Sequence, residues 1–95
     1  MVIAVAGSGG KTTRIHLLTE KYRKLGKTVL VTTTTHMYRE EGCDISGDEG
    51  QIRAKLKNFG YCMAGLPAEE GKIKALPEKI YDALCAYADV VLVEA

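Results

Sequence analysis

Cysteine is scarce in this 95-residue chain, and its three copies, Cys43, Cys62 and Cys85, form no C-x-x-C pair. An odd, widely spaced set argues against a disulfide framework and fits a reduced, cytoplasmic chain. The same spacing gives no support to a metal site built from these cysteines and the two histidines. Neither sign of charge dominates, with thirteen Lys and Arg against twelve Asp and Glu. Lacking a basic surplus, the chain has no electrostatic footprint for nucleic acid or a membrane surface, and neither is expected as a partner. No apolar run approaches the ~18 residues of a membrane span. The opening apolar run is too short for a signal-peptide core and glycines break it, so no targeting segment is expected. Repeats and low-complexity segments are absent too. These features predict one small domain over residues 1–95.

What is present is concentrated near the start. Val2-Ile3-Ala4-Val5-Ala6 is continuously apolar, as a parallel strand buried on both faces should be. Gly7-Ser8-Gly9-Gly10-Lys11-Thr12-Thr13 follows, and a helix-periodic segment comes next. A buried strand, a glycine-rich turn and a helix N-terminus in that order make a phosphate cradle. Glycine lets the backbone approach an anion, and the free N–H groups and dipole of the helix start favour negative charge. Lys11 can reach terminal phosphates, and the Thr12 hydroxyl occupies the place of a P-loop threonine on Mg²⁺. The full P-loop pattern wants a further glycine where Val5 stands. The remaining G-x-x-G-K-T-T form resembles the loop of Mur-type ATP-dependent ligases, which reads G-T-N-G-K-T.

Periodicity organises the rest. Ile15, Leu18, Tyr22 and Leu25 make one stripe of a helix over 12–25, with Gly26 as its stop. His16 within it reads as structural. Thr28 to Thr32 is a β-branched strand. Glu40 to Gly50 reads as a loop, and Asp48 can cap a helix through Ile52, Leu56 and Phe59 that ends at Gly60. Residues 61–65 suggest a third strand. Residues 66–76 are ambiguous, with a turn at Gly71-Lys72. Pro77 opens a last helix whose buried face carries Ile80, Leu84 and Tyr87. Val90 to Glu94 is the final strand. The alternation predicts an α/β fold: a three-layer, mostly parallel sheet with P-loop NTPase-like topology. Ligands of such sheets bind at the carboxyl ends of the strands.

That edge should hold the glycine loop, the Thr32–Tyr38 segment and Glu94. An acid closing an apolar strand can hold Mg²⁺, which takes hard oxygen ligands and usually one or two carboxylates. Glu94 is therefore expected, with Thr12, as a metal residue, and with Lys11 as a catalytic one. Thr32 and Thr33 are explained by strand propensity alone. Thr34, Thr35 and His36 should lie beyond the strand end, where hydroxyls and an imidazole can meet phosphate or a metal-bound water. The nucleotide-binding set is thus Gly7, Ser8, Gly9, Gly10, Lys11, Thr12, Thr13, Thr34, Thr35 and His36. The cofactors expected are ATP or GTP with Mg²⁺; no base-recognition motif separates the two.

Three segments together, Val5-Ala6-Gly7-Ser8-Gly9-Gly10-Lys11-Thr12-Thr13, Leu30 through Tyr38 with its Thr-Thr-Thr-Thr-His core, and Val91-Leu92-Val93-Glu94-Ala95, resemble one family. It is the selenium-dependent molybdenum hydroxylase accessory proteins of the YqeC type. The resemblance implies a P-loop protein that helps mature such hydroxylases, with a molybdenum hydroxylase or its cofactor as partner. Carried over by position, it makes Gly7, Gly10, Lys11 and Thr12 phosphate and Mg²⁺ residues and Glu94 the strand-end acid. Family members continue past the acid into a second half, so the domain is expected to be incomplete at its C-terminus. Self-association, or docking of the missing half, would follow. The expected function is a Mg²⁺-dependent NTP-binding, NTP-hydrolysing accessory factor. The alternatives are a Mur-ligase-like ATP-dependent enzyme fragment and a non-catalytic, nucleotide-gated binding module.

Overall fold

A computed structural model describes residues 1–7 and 9–95; Ser8, one of the expected cradle positions, lies outside the described residues. The element order is β1 (Val2–Val5), α1 (Lys11–Lys24), β2 (Val29–Thr33), β3 (His36–Tyr38), α2 (Glu49–Phe59), β4 (Tyr61–Met63), β5 (Leu66–Pro67), β6 (Lys72–Lys74), α3 (Glu78–Tyr87) and β7 (Val90–Glu94).

The apolar runs become parallel strands in the order β1-β7-β2-β4. Because side chains alternate across a strand, each central strand feeds two cores. Leu30, Val91 and Val93 point to one face and pack with Ile52 and Leu56 of α2 and Leu84 of α3. Val29, Val31, Val90 and Leu92 point to the other and pack with Ile15 of α1. The result is α/β in three layers, with α1 on one face and α2 and α3 on the opposite one. Asp89 and Thr28 lock the entry to β7 and β2: the Asp89 carboxylate accepts from the Thr28 amide at 2.9 Å, and the Asp89 amide donates to the Thr28 hydroxyl at 2.9 Å.

A second, three-stranded antiparallel sheet, ordered β3-β6-β5, was not foreseen. His36-Met37-Tyr38 and Lys72-Ile73-Lys74 each read polar, apolar, polar. Met37 pairs with Ile73, and both enter the α1-side core. The segment after the threonine run, expected only to leave the end of the strand, is thus partly a strand itself, and the ambiguous stretch 66–76 holds the hairpin that pairs with it. Gly65 lets the two sheets meet: a Cβ there would lie 2.7 Å from the Lys74 carbonyl and 2.9 Å from Ile73 side-chain atoms.

The chain from β2 to β4 takes an indirect route. It crosses the α1 face as β3, bridges Ala64 through Asp44 beside the end of β4, and only then enters α2 on the opposite face. Buried Asp44 anchors this path, accepting from the Ser46 hydroxyl at 2.6 Å and amide at 2.9 Å, with Lys55 Nζ 3.0 Å away. Burial alone would raise its carboxyl, but the Ser46 bonds and Lys55 outweigh that and hold it below the usual carboxylate value. Asp48 caps α2 as expected, accepting from the Gln51 amide at 3.0 Å.

Boundaries shift in ways that have physical reasons. α1 begins at Lys11, one residue early, and Leu25 falls past its end and stands exposed. Phe59, in the last turn of α2, is exposed as well. Pro77 is the N-cap of α3 rather than its first residue. The third strand closes at Met63 because Ala64 pairs with Asp44 and Gly65 turns towards the small sheet.

Candidate functional site

The carboxyl edge of the parallel sheet carries the site. β1 and β7 pair in parallel with Val5 opposite Glu94, and β2 pairs with β7 with Thr33 opposite Glu94. The strand preceding the glycine loop and the strand ending in the acid are therefore direct neighbours. Gly7, Gly9 and Gly10 have φ of 106°, 75° and 70°, a region that L side chains rarely adopt. Gly10 is the N-cap of α1 and offers no side-chain cap, so the first N–H groups of the helix keep their capacity to bind an anion.

Lys11, the first helical residue, reaches back across this edge. Its Nζ lies 3.5 Å from Glu94 Oε1 and donates to the Ala95 carbonyl at 3.3 Å. Arg14 folds towards the loop, its guanidinium 3.4 Å from the Ala6 carbonyl. The Thr33 hydroxyl donates to the Glu94 carbonyl at 2.9 Å and accepts from the Thr35 amide at 3.1 Å. This pins the exit of β2 to the end of β7. Thr32 and Thr33 are buried within the strand, as propensity alone requires.

A cavity of about 160 Å³ opens beside this edge, lined by Thr12, His36, Met37, Tyr38, Glu40, Lys72 and Glu94. Of the expected site residues, the structure brings Thr12, His36 and Glu94 into this cavity and Lys11 onto Glu94. Thr13 is exposed on the first turn of α1; Thr34 and Thr35 are exposed at the bend between β2 and β3, outside the cavity lining. Glu40 and Lys72 were missed by sequence reasoning, and Tyr38 was placed at this edge only as the end of the Thr32–Tyr38 segment, with no role of its own. Lys72 arrives 36 residues after His36 through a hairpin, and the polar-apolar-polar pattern of β3 and β6 was the one signal that could have paired them.

His16, read as structural, has its contact at the surface rather than in the core. It is exposed, and its Nε2 lies 2.6 Å from Glu40 Oε2, tying α1 to the segment after β3. A larger, open cavity of about 530 Å³ lies on the outer side of this pair, lined by His16, Thr19, Glu20, Arg23, Lys24, Glu40 and Tyr61. It shares Glu40 with the smaller cavity but carries neither the glycine loop nor Lys11, Thr12 or Glu94, and it runs as a groove along α1.

Could a Mg²⁺–nucleotide fit? The donor set is hard: one hydroxyl and one carboxylate, Thr12 and Glu94, share the cavity beside a loop of positive-φ glycines. Open space surrounds the Cα of Gly7, Gly9 and Gly10, where an added Cβ would meet nothing within 4 Å. These residues fit the group. Burial pushes the Cys62 thiol up to about 12 and the Cys43 thiol up to about 11, so neither is a reactive thiolate. Among the described residues, no group of three or more His, Cys, Asp or Glu is placed to hold a metal, and no helix is long and apolar enough to cross a membrane.

Comparison with known proteins gives the chain its relatives. It is 34% identical over 101 residues to "Uncharacterized protein YqeC" of Escherichia coli (strain K12), an alignment covering 99% of this chain and 40% of that protein. The chain therefore spans about two fifths of the length of this relative. A stretch of 47 residues, half of this chain and 5% of the other protein, is 47% identical to cyanophycin synthetase of Synechocystis sp. (strain ATCC 27184 / PCC 6803 / Kazusa). No solved structure matches at a significant level. The model of the YqeC protein family matches residues 3–95, and the chain belongs to that family.

Proposed function

We propose that this chain is the nucleotide-binding unit of an accessory factor that binds, and hydrolyses, a Mg²⁺–nucleoside triphosphate. The observation that carries this reading is the register of Val5 with Glu94, with Lys11 Nζ 3.5 Å from the Glu94 carboxylate. It sets the cradle, the lysine and the acid at one sheet edge.

The residues divide the work. Amides of the glycine loop and the first turn of α1 bind phosphate oxygens, and the helix dipole adds a smaller attraction of about 0.3–1 kcal/mol. Lys11 leaves Glu94 for the terminal phosphates, to which a charge-assisted bond contributes about 1.5–3 kcal/mol. Thr12 and the freed Glu94 supply two hard ligands for Mg²⁺. The bound cation supplies charge neutralisation at the phosphates. The Thr33 bonds to Glu94 and Thr35 hold the acid and the start of β3 in a fixed relation. The segment from Thr34 through Tyr38 can thereby respond to the bound nucleotide, as switch segments do.

The accessory role in maturing selenium-dependent molybdenum hydroxylases rests on membership of the YqeC family and on the resemblance of the three motif segments. The Mur-ligase-like reading has one observation in its favour, the 47-residue match to a cyanophycin synthetase. Measuring phosphate release with and without a candidate hydroxylase tests the proposal. Mg²⁺-dependent release that falls with Lys11→Ala supports hydrolysis. Nucleotide binding without release under either condition supports the gated module instead.

A further inference from the structure

The cavity beside Glu94 is too small to be the nucleotide site itself. Its volume of about 160 Å³ corresponds to roughly five waters at about 30 Å³ each. That is below the ~300–1,000 Å³ of ordinary small-molecule sites. It nevertheless shares Thr12 and Glu94 with the cradle, so it lies where the terminal phosphate would point.

Its two walls differ in chemistry. On the cradle side the acids are already engaged: Glu94 faces Lys11 at 3.5 Å, and Glu40 is bound by His16 at 2.6 Å. On the small-sheet side stand His36 and Tyr38, two residues apart on one face of β3, with Lys72 paired to Tyr38 across the sheet. The Lys72 ammonium lies 5.1 Å from the Tyr38 ring centroid. Its acidic partner, Glu69 at 3.5 Å, is 70% exposed, so solvent screens that pair. Among the described residues, no hydrogen-bond partner occupies the His36 ring or the Tyr38 hydroxyl. The groups left to bind are an ammonium, a phenol and an imidazole, which share the lining of this cavity, with Tyr38 itself 74% exposed.

We infer that this wall is a subsite for the anionic group, phosphate or carboxylate, of a second small substrate. Lys72, Tyr38 and His36 hold that group beside the terminal phosphate of the nucleotide. The inference rests on the nucleotide reading for what lies across the cavity. It goes beyond that reading in giving the small sheet, assembled from β3 and the β5–β6 hairpin, a binding role. Glu69 is the competitor that holds Lys72 when the subsite is empty.

The test titrates inorganic phosphate, and separately acetate, into isotope-labelled wild-type protein, in which Lys11 still neutralises Glu94 across the cavity, and reads the small sheet residue by residue. Saturable amide shifts at Tyr38 and Lys72 are expected with at least one anion, and which anion acts tells phosphate from carboxylate. Lys72→Gln should weaken that binding about tenfold, the loss of one charge-assisted bond, while Glu69→Gln should strengthen it. Lys72 and Glu69 are surface residues, so both variants should fold. Absence of shifts at Tyr38 and Lys72 with both anions, or unchanged affinity in the Lys72→Gln background, overturns the inference. Failure of the nucleotide reading shows separately, as ATP affinity that Lys11→Ala leaves unchanged.

Discussion

Glu94→Gln should change nucleotide affinity in opposite directions depending on Mg²⁺. Without nucleotide, Glu94 neutralises Lys11 at 3.5 Å, with the side chains 13% and 28% exposed. Coulomb attraction at that distance is about 5 kcal/mol at an effective dielectric near 20. Desolvation and side-chain ordering cancel most of this, and partly exposed pairs contribute about 0–1 kcal/mol net. Burial of Glu94 puts this pair near the upper figure, about 1 kcal/mol. A nucleotide that recruits Lys11 must overcome that attraction. Glutamine removes it, so binding measured in EDTA should tighten by about fivefold. With Mg²⁺ present, the same substitution removes a metal ligand, and the Mg²⁺-dependent gain in affinity should fall by about 10–100-fold, the loss typical of disturbed metal sites. Calorimetry with ATP and with GTP, each with and without Mg²⁺, reads both effects. A variant that weakens binding equally in EDTA and in Mg²⁺ would refute the reasoning, because Glu94 would then be neither the competitor for Lys11 nor a metal ligand.

Other outcomes follow from the same structure. Gly65→Ala should destabilise the chain by about 1–3 kcal/mol, lowering Tm by about 4–8 °C per kcal/mol, since its Cβ would meet the Lys74 carbonyl at 2.7 Å; an unchanged melting curve would show that the two sheets can separate freely. Asp44 has a lowered carboxyl pKa in the folded chain, so its stabilising contribution is complete above the ordinary carboxylate value of about 4 and is lost as pH falls through the lowered one. Asp44→Asn should flatten that acid limb of the stability curve, as followed by denaturant titration at several pH values. Amide exchange over residues 34–42 should slow on saturation with Mg²⁺–nucleotide, and unchanged exchange there would count against a switch segment.

Much of this fold was legible because its signals are local. The β-branched and continuously apolar runs at Val29–Thr33 and Val90–Glu94 dictate buried parallel strands, and Asp48 and Gly60 bracket α2 by capping chemistry alone. The glycine turn and the helix start at Lys11 were legible for the same reason, since Gly9 and Gly10 supply backbone freedom directly before the helix. The small sheet was not legible. Its strands are two or three residues long, shorter than any periodicity test resolves, and β3 pairs with β6 across more than thirty positions. Lys72 was hidden with them, since it meets Tyr38 and the cavity only through that pairing. His16 shows the limit of helix position as a guide. It sits among core-facing residues in sequence, yet its turn of α1 presents it to Glu40 on the surface.

The central claim is that the glycine loop and Lys11 bind nucleotide phosphates. Calorimetric titration of Mg²⁺–ATP and Mg²⁺–GTP into the folded wild-type chain and its Lys11→Ala variant tests it most directly. Loss of a charge-assisted bond of about 1.5–3 kcal/mol predicts binding weakened by about ten- to a hundredfold for the nucleotide that the chain prefers. Equal affinity in the two proteins, with the variant's fold intact by circular dichroism, would contradict it.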